Sequence, residues 1–179
     1  MKKFIQLLTI SRMIAGPIIF VLIIFFQYFT LALAVFVLAS FSDFMDGYLA
    51  RKFNKVSTLG AILDPIADKI LLTFVIISLS IELSSVFVAF IGSLILAREY
   101  WVGALREFNA RSGNIKATTV TFLAKVKTAI QLISLSIYLI SLSSGQTLLI
   151  LIADIFLFLA LIITLQTALS YTIASFKRS

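Results

Sequence analysis

Five short polar breaks cut this 179-residue chain into six apolar runs, each long enough to cross a bilayer as a helix. The runs cover residues about 4–28, 31–53, 57–81, 85–108, 118–142 and 147–174. The breaks fall at Gln27 to Thr30, Asn54 to Lys55, Glu82 to Ser85, Asn109 to Lys116 and Ser143 to Thr147. Six spans of about 20 apolar residues use up the chain and leave no room for a soluble domain. The spacing predicts an all-α membrane protein, a single six-helix domain over residues 1–179. Lys2 and Lys3 ahead of an apolar run superficially resemble a signal peptide. That run leads straight into the second span, and Ala32–Leu33–Ala34 lies too far downstream for a cleavage site, so the segment is expected to be retained.

Charge orients the spans. All fifteen Lys/Arg fall at the N-terminus (Lys2, Lys3, Arg12), around the 2–3 connection (Arg51, Lys52, Lys55, Lys69), around the 4–5 connection (Arg98, Arg106, Arg111, Lys116, Lys125, Lys127), or at the C-terminus (Lys177, Arg178). The other three connections carry none, so the positive-inside rule places both termini and the basic connections in the cytoplasm. The net charge of +7 then reflects contact with anionic lipid at an inner (cytoplasmic) membrane. No stretch interleaves basic and aromatic residues, so nucleic acid is not expected as a partner. Gly16–Pro17 should kink the first helix. Ala89, Ser93 and Ala97 form a small-residue row, read as packing inside the bundle rather than as a seam between two copies.

The chemistry available is narrow. The chain has no cysteine and no histidine, which excludes disulfides, Cys/His zinc sites, thiol nucleophiles and histidine bases. Only eight acidic residues remain, and four of them lie between residues 43 and 68. Asp43 and Asp46 are three apart on the second helix; Asp64 and Asp68 are four apart on the third. Both spacings put the pair on one helical face. Across a short cytoplasmic turn, Asp46 and Asp64 lie roughly 10 Å deep, and Asp43 and Asp68 roughly 15 Å deep. Two facing rows at matched depths can converge into one cluster. A single charge near the bilayer centre costs at least ~2.5 kcal/mol, so four uncompensated carboxylates must share protons or collect cations. Oxygen-only ligands select hard ions such as Mg²⁺, Mn²⁺ or Ca²⁺, and paired metals are a known clamp for phosphoryl transfer. Gly47 lets a ligand approach the backbone beside Asp46, and Arg51 offers a planar fork to a phosphate. Gly60 opens the facing helix, and Pro65 loosens it near the acids. The bland alternative pairs these acids structurally with Arg51 and Lys69.

The run D-x2-D-G-x2-A-R-x8-G-x3-D-x3-D, from Asp43 to Asp68, resembles the signature of the CDP-alcohol phosphotransferases at every defined position. The resemblance implies a six-helix membrane enzyme that joins a CDP-activated alcohol to an acceptor hydroxyl and releases CMP. It further implies two Mg²⁺ ions, with Mn²⁺ possible, held by Asp43, Asp46, Asp64 and Asp68. Asp68 would double as the catalytic base, while Gly47, Arg51 and Ser57 would hold the CDP group. It also suggests a homodimer.

The flanks narrow the acceptor. The Arg98–Glu99 pair, the LREF run Leu105–Phe108 and the KVKT run Lys125–Thr128 resemble bacterial members that use sn-glycerol 3-phosphate and CDP-diacylglycerol. The LLTISR run Leu7–Arg12 and the last helix with Gln166, Ser170 and Tyr171 are similar too, which suggests Thr9 as a further nucleotide contact. The chain departs from many relatives in carrying Phe4–Ile5–Gln6 where they have an Asn/Pro-containing stretch. For the acceptor phosphate the expected cations are Arg106 and Lys125, with Glu99 and Glu107 bracing the basic cluster rather than reacting. Rival readings are a cardiolipin or phosphatidylinositol-phosphate synthase, a cation transporter, since intramembrane acids also mark ion paths, or a non-catalytic lipid-binding scaffold.

Overall fold

The structure is a computed structural model that describes the backbone of residues 2–52, 58–113 and 122–176 and the side chains of residues 7–42, 63–113 and 122–176. Six helices follow one another: α1 (Lys2–Ile24), α2 (Phe29–Lys52), α3 (Thr58–Glu82), α4 (Val86–Arg111), α5 (Phe122–Ser144) and α6 (Leu148–Phe176). No strand occurs among the described residues. The all-α expectation holds. α1, over Leu7–Ile24, and the whole of α4, α5 and α6 are long and apolar enough to cross a membrane, and α2 contributes a shorter apolar stretch, Phe29–Ser42.

One boundary differs from the hydropathy reading. α1 ends at Ile24 rather than near residue 28, because Phe25 and Phe26 are apolar yet occupy the turn, with Gln27 at φ 54° reversing the chain. These two rings are exposed, so hydropathy ran past the true end of the helix. α5 is described from Phe122 onward, and residues 118–121, where hydropathy starts the fifth run, lie outside the described ones.

The helices close into a ring in the order α1, α2, α5, α6, α4, α3. Their faces divide as a membrane bundle requires. Ile19, Ile23, Phe36, Val75, Leu79, Val88, Ile95, Leu135, Leu139 and Leu157 fill the interior. Leu7, Ile14, Leu38, Phe90, Leu151 and Leu169 point outward. Such an apolar exterior is too extensive for a water-solvated monomer and suits lipid. Pro17 sits within α1 without ending it. At Gly16 the missing side chain lets α1 press on α3: a Cβ there would lie 3.3 Å from the Ile70 carbonyl oxygen and the Phe74 ring.

The small-residue row on α4 corrects the sequence expectation. Ala89, Ser93 and Ala97 face outward, and Ser93 returns its hydroxyl to the Ala89 carbonyl. The close approach of α4 to α3 falls instead at Gly92, against Ile76. The row predicted from spacing is real, but the helix turns its other face to the core.

Candidate active site

Buried polar side chains gather at one end of the ring. Thr9 and Arg12 come from the start of α1, Lys127 and Gln131 from the start of α5, and Arg98 and Asn109 from the second half of α4. Thr164, Thr167 and Ser175 come from the second half of α6. Consecutive helices alternate in direction, so the starts of α1, α3 and α5 meet the ends of α2, α4 and α6 at one face. A buried polar group needs a partner, and here the partners lie on neighbouring helices.

α1 and α3 run parallel, and their registers match one turn at a time. Thr9 donates its hydroxyl to Asp64 Oδ1 at 2.7 Å. One turn on, Arg12 donates Nη1 to Asp68 Oδ1 at 2.7 Å and Nη2 to Asp64 Oδ1 at 3.3 Å. The guanidinium is fully buried, whereas the side chains of Asp64 and Asp68 are 38% and 44% exposed and open toward the interior cavity. An arginine fork suits this role because its donors are fixed in a plane and reach two acceptors at once. Among the described residues the cation paired with these carboxylates is Arg12, while the side chain of Arg51 lies outside them. The sequence signal for Arg12 was present but unread: a lone arginine inside an apolar helix requires a partner at its own depth. Thr9, expected as a nucleotide contact, stands on the same face of α1. It is fully buried with its hydroxyl donated to Asp64, so it orients a carboxylate.

The other two aspartates, Asp43 and Asp46, stand on the last turns of α2, and their side chains lie outside the described residues. The same holds for Gly47 and Arg51, and Ser57 lies wholly outside them.

A second network ties α4 to α5 and α6. Arg98 Nε donates to the Thr164 carbonyl at 3.0 Å, and its Nη2 to the Thr167 hydroxyl. Arg98 Nη1 reaches Glu99 Oε1 at 3.1 Å, and the same carboxylate oxygen accepts from Lys127 Nζ. Farther along, Trp101 Nε1 donates to Thr172 at 3.0 Å and Asn109 Nδ2 to Ser175 at 2.6 Å. Glu99 thus braces two cations, as expected, and Glu107 pairs with Arg111 on the exposed rim.

Between the two networks lies a cavity of about 290 Å³. α3 lines it with Asp64, Asp68 and Lys69; α4 with Arg98, Glu99, Gly103 and Arg106; α5 with Lys127 and Thr128; α6 with Tyr171. Of the two cations expected at the acceptor phosphate, Arg106 lines the cavity. Lys125 does not: it is exposed and outside the lining, and Lys127 takes the position facing in. Residues two apart on a helix differ by about 200° in direction, so only one of the pair can face the cavity. Lys116 lies outside the described residues.

The cavity combines two chemistries. The carboxylates of Asp64 and Asp68 can hold a hard cation or take a proton, and the cations across from them can hold an anion. The volume sits at the small end of the range for ligand pockets, about 300 Å³ upward, enough for a small polar molecule and too small for a lipid.

Comparison with known proteins agrees with this geometry. Residues 5–167 match the CDP-alcohol phosphatidyltransferase family. A Rickettsia felis protein named CDP-diacylglycerol–glycerol-3-phosphate 3-phosphatidyltransferase is 42% identical over 170 residues, covering 92% of this chain and 90% of the relative. A Rickettsia typhi protein of the same name is 40% identical over 179 residues, covering 96% of each. One from Salmonella choleraesuis is 34% identical over 134 residues, covering 73% of this chain and 72% of its own length. A match running from the first turns of α1 to the Thr167 that holds Arg98 takes in Arg12, Asp64, Asp68, Arg98, Glu99 and Lys127: the chain belongs to the CDP-alcohol phosphatidyltransferase family.

Proposed function

We propose that the protein transfers the phosphatidyl group of CDP-diacylglycerol to sn-glycerol 3-phosphate, giving phosphatidylglycerophosphate and CMP. The observation that carries this reading is the cavity itself, with the carboxylates of Asp64 and Asp68 on one wall and the cations Arg98, Arg106 and Lys127 on others. The names of relatives that align along nearly the whole chain support the choice of both substrates.

In this reading all six helices span the inner membrane, with both termini and the polar end of the ring on the cytoplasmic side. The lipid's acyl chains lie beside the bundle, and its cytidine head reaches the site at the cytoplasmic surface, held by Gly47, Arg51 and Ser57. The donor set fits a hard divalent ion. Asp64 and Asp68 present carboxylate oxygens, and the α2 pair Asp43 and Asp46 adds oxygens by its spacing; the chain has no histidine or cysteine to favour a softer metal. These four aspartates would hold two Mg²⁺, or Mn²⁺, which when bound supply charge neutralisation to the diphosphate.

The chain's own residues do the rest. Arg12 and Thr9 fix Asp64 and Asp68 in place. Asp68 accepts the proton of the acceptor's primary hydroxyl. That oxygen bonds to the lipid-side phosphorus, and the phosphorus–oxygen bond to CMP breaks. Arg106 and Lys127 take the acceptor's phosphate. An ammonium has three N–H donors, so the bond from Lys127 to Glu99 leaves others for substrate. Glu99 itself is spoken for by Arg98 and Lys127 and takes no proton in the reaction. The outward row Ala89, Ser93 and Ala97 suits a homodimer contact.

An ion path would need acids strung through the bundle. Asp154, toward the far end, accepts instead from the fully buried Tyr138 hydroxyl and stands apart from the cavity. The function is tested by supplying purified protein with CDP-diacylglycerol and a panel of labelled acceptors. Phosphatidylglycerophosphate from glycerol 3-phosphate is the expected product. Product from inositol phosphate or phosphatidylglycerol alone contradicts the reading, as does ion flux in liposomes without CMP release.

A further inference from the structure

Lys69 follows Asp68 directly and points about 100° away around α3. Asp68 turns to Arg12 on α1, while Lys69 turns to α4. Its ammonium lies 5.3 Å from the centre of the Tyr100 ring, within the range of a cation–π contact. The tip also rests against the bare backbone of Gly103, where a Cβ would come within 2.4 Å of Nζ. Both residues belong to one turn of α4, and together they form a cradle that holds the side chain at the cavity wall.

Among the described residues the cradle holds no counter-charge. Arg12 has Asp64 and Asp68, Arg98 and Lys127 have Glu99, and Arg111 has Glu107. Among the described residues Lys69 has no carboxylate within ion-pair distance, although Glu99 lines the same cavity. An ammonium that lines a cavity beside a ring, with no described carboxylate at ion-pair distance, is placed to take an incoming anion.

We propose that Lys69 is an acceptor-binding residue whose ammonium, set by Tyr100 and Gly103, takes the phosphate of sn-glycerol 3-phosphate. The inference rests on the transferase reading above. Adjacent residues of α3 then address the two ends of one small molecule: Asp68 its reacting hydroxyl and Lys69 its phosphate. The lipid diphosphate belongs beside Asp64 and Asp68 in the same cavity, so that the acceptor's hydroxyl at Asp68 lies next to the phosphorus it attacks.

The test measures kcat and KM for both substrates in the wild-type protein, Lys69→Met, Gly103→Ala and the double variant. Lys69→Met should raise KM for glycerol 3-phosphate roughly 10- to 100-fold, the loss of one charged hydrogen bond. KM for CDP-diacylglycerol should stay within about twofold of wild type. Gly103→Ala displaces only the tip of a flexible side chain, so it should fold and raise the acceptor KM in the same direction. The double variant should be no worse than Lys69→Met, because both changes remove one interaction. A rise in lipid KM with acceptor KM unchanged overturns the proposal, as do full additivity or no change in either KM. Should Lys69→Met fail to fold, an unchanged acceptor KM in Gly103→Ala overturns it alone. A wild-type protein that makes no phosphatidylglycerophosphate refutes the transferase reading instead, and that outcome is visible before any variant is compared.

Discussion

Replacing Arg12 by methionine keeps an unbranched side chain of similar length and removes the only described cation that touches both Asp64 and Asp68. Two charged hydrogen bonds disappear, at 2.7 and 3.3 Å. Each is worth about 1.5–3 kcal/mol, and breaking a fully buried pair costs about 3–5 kcal/mol. The guanidinium is fully buried, but the two carboxylate side chains are 38% and 44% exposed, so water in the cavity takes over part of their solvation. The net loss should be about 2–3 kcal/mol, below the fully buried figure. For a chain of this size each kcal/mol lowers the midpoint by about 2–4 °C, so thermal unfolding in detergent should fall by roughly 4–12 °C. Turnover, followed as CMP release, should drop at least about 100-fold even well below the new midpoint, because Asp68 no longer holds its orientation. Addition of Mg²⁺ should not restore it. A variant that unfolds within about 1 °C of wild type and keeps a third of its turnover refutes the view that Arg12 organises the site.

Two further outcomes follow from the cavity. Lys127→Met should raise KM for glycerol 3-phosphate about tenfold or more, while Lys125→Met, on the exposed face of the same helix, should leave it within about twofold; a reversed pattern in steady-state kinetics contradicts the lining observed here. Exhaustive chelation should abolish CMP release, and Mg²⁺ or Mn²⁺ should restore it; turnover that persists in chelator rules out a metal held by the aspartates.

The helices were legible because hydrocarbon leaves a backbone few alternatives, and the Asp64/Asp68 pair was legible because a four-residue spacing fixes a shared face whatever the neighbours do. What spacing along one helix cannot give is the partner across from it. Arg12 was visible as an intramembrane charge, but its meeting with Asp64 and Asp68 depends on the parallel register of α1 and α3, which Gly16 brings close. The choice between Lys125 and Lys127 turned on the rotation of α5, and the outward face of Ala89, Ser93 and Ala97 on the rotation of α4. Rotation is set by ring packing, in which α5 meets α2 and α6 while α4 meets α3 and α6, and nothing in the linear pattern ranks those contacts. Lys69 was weighed only as a structural counter-ion for the aspartates, since its neighbour in sequence is Asp68; the turn of α3 sends the two in different directions.

The central claim is that the α3 carboxylates perform the transfer, and Asp68→Asn tests it most directly. The substitution is nearly isosteric and keeps an acceptor for Arg12, but it removes the base. CDP-diacylglycerol binding and formation of labelled phosphatidylglycerophosphate should be measured on the same preparation. The account predicts that the lipid still binds and no product forms. Substantial product from the Asp68→Asn protein would contradict it.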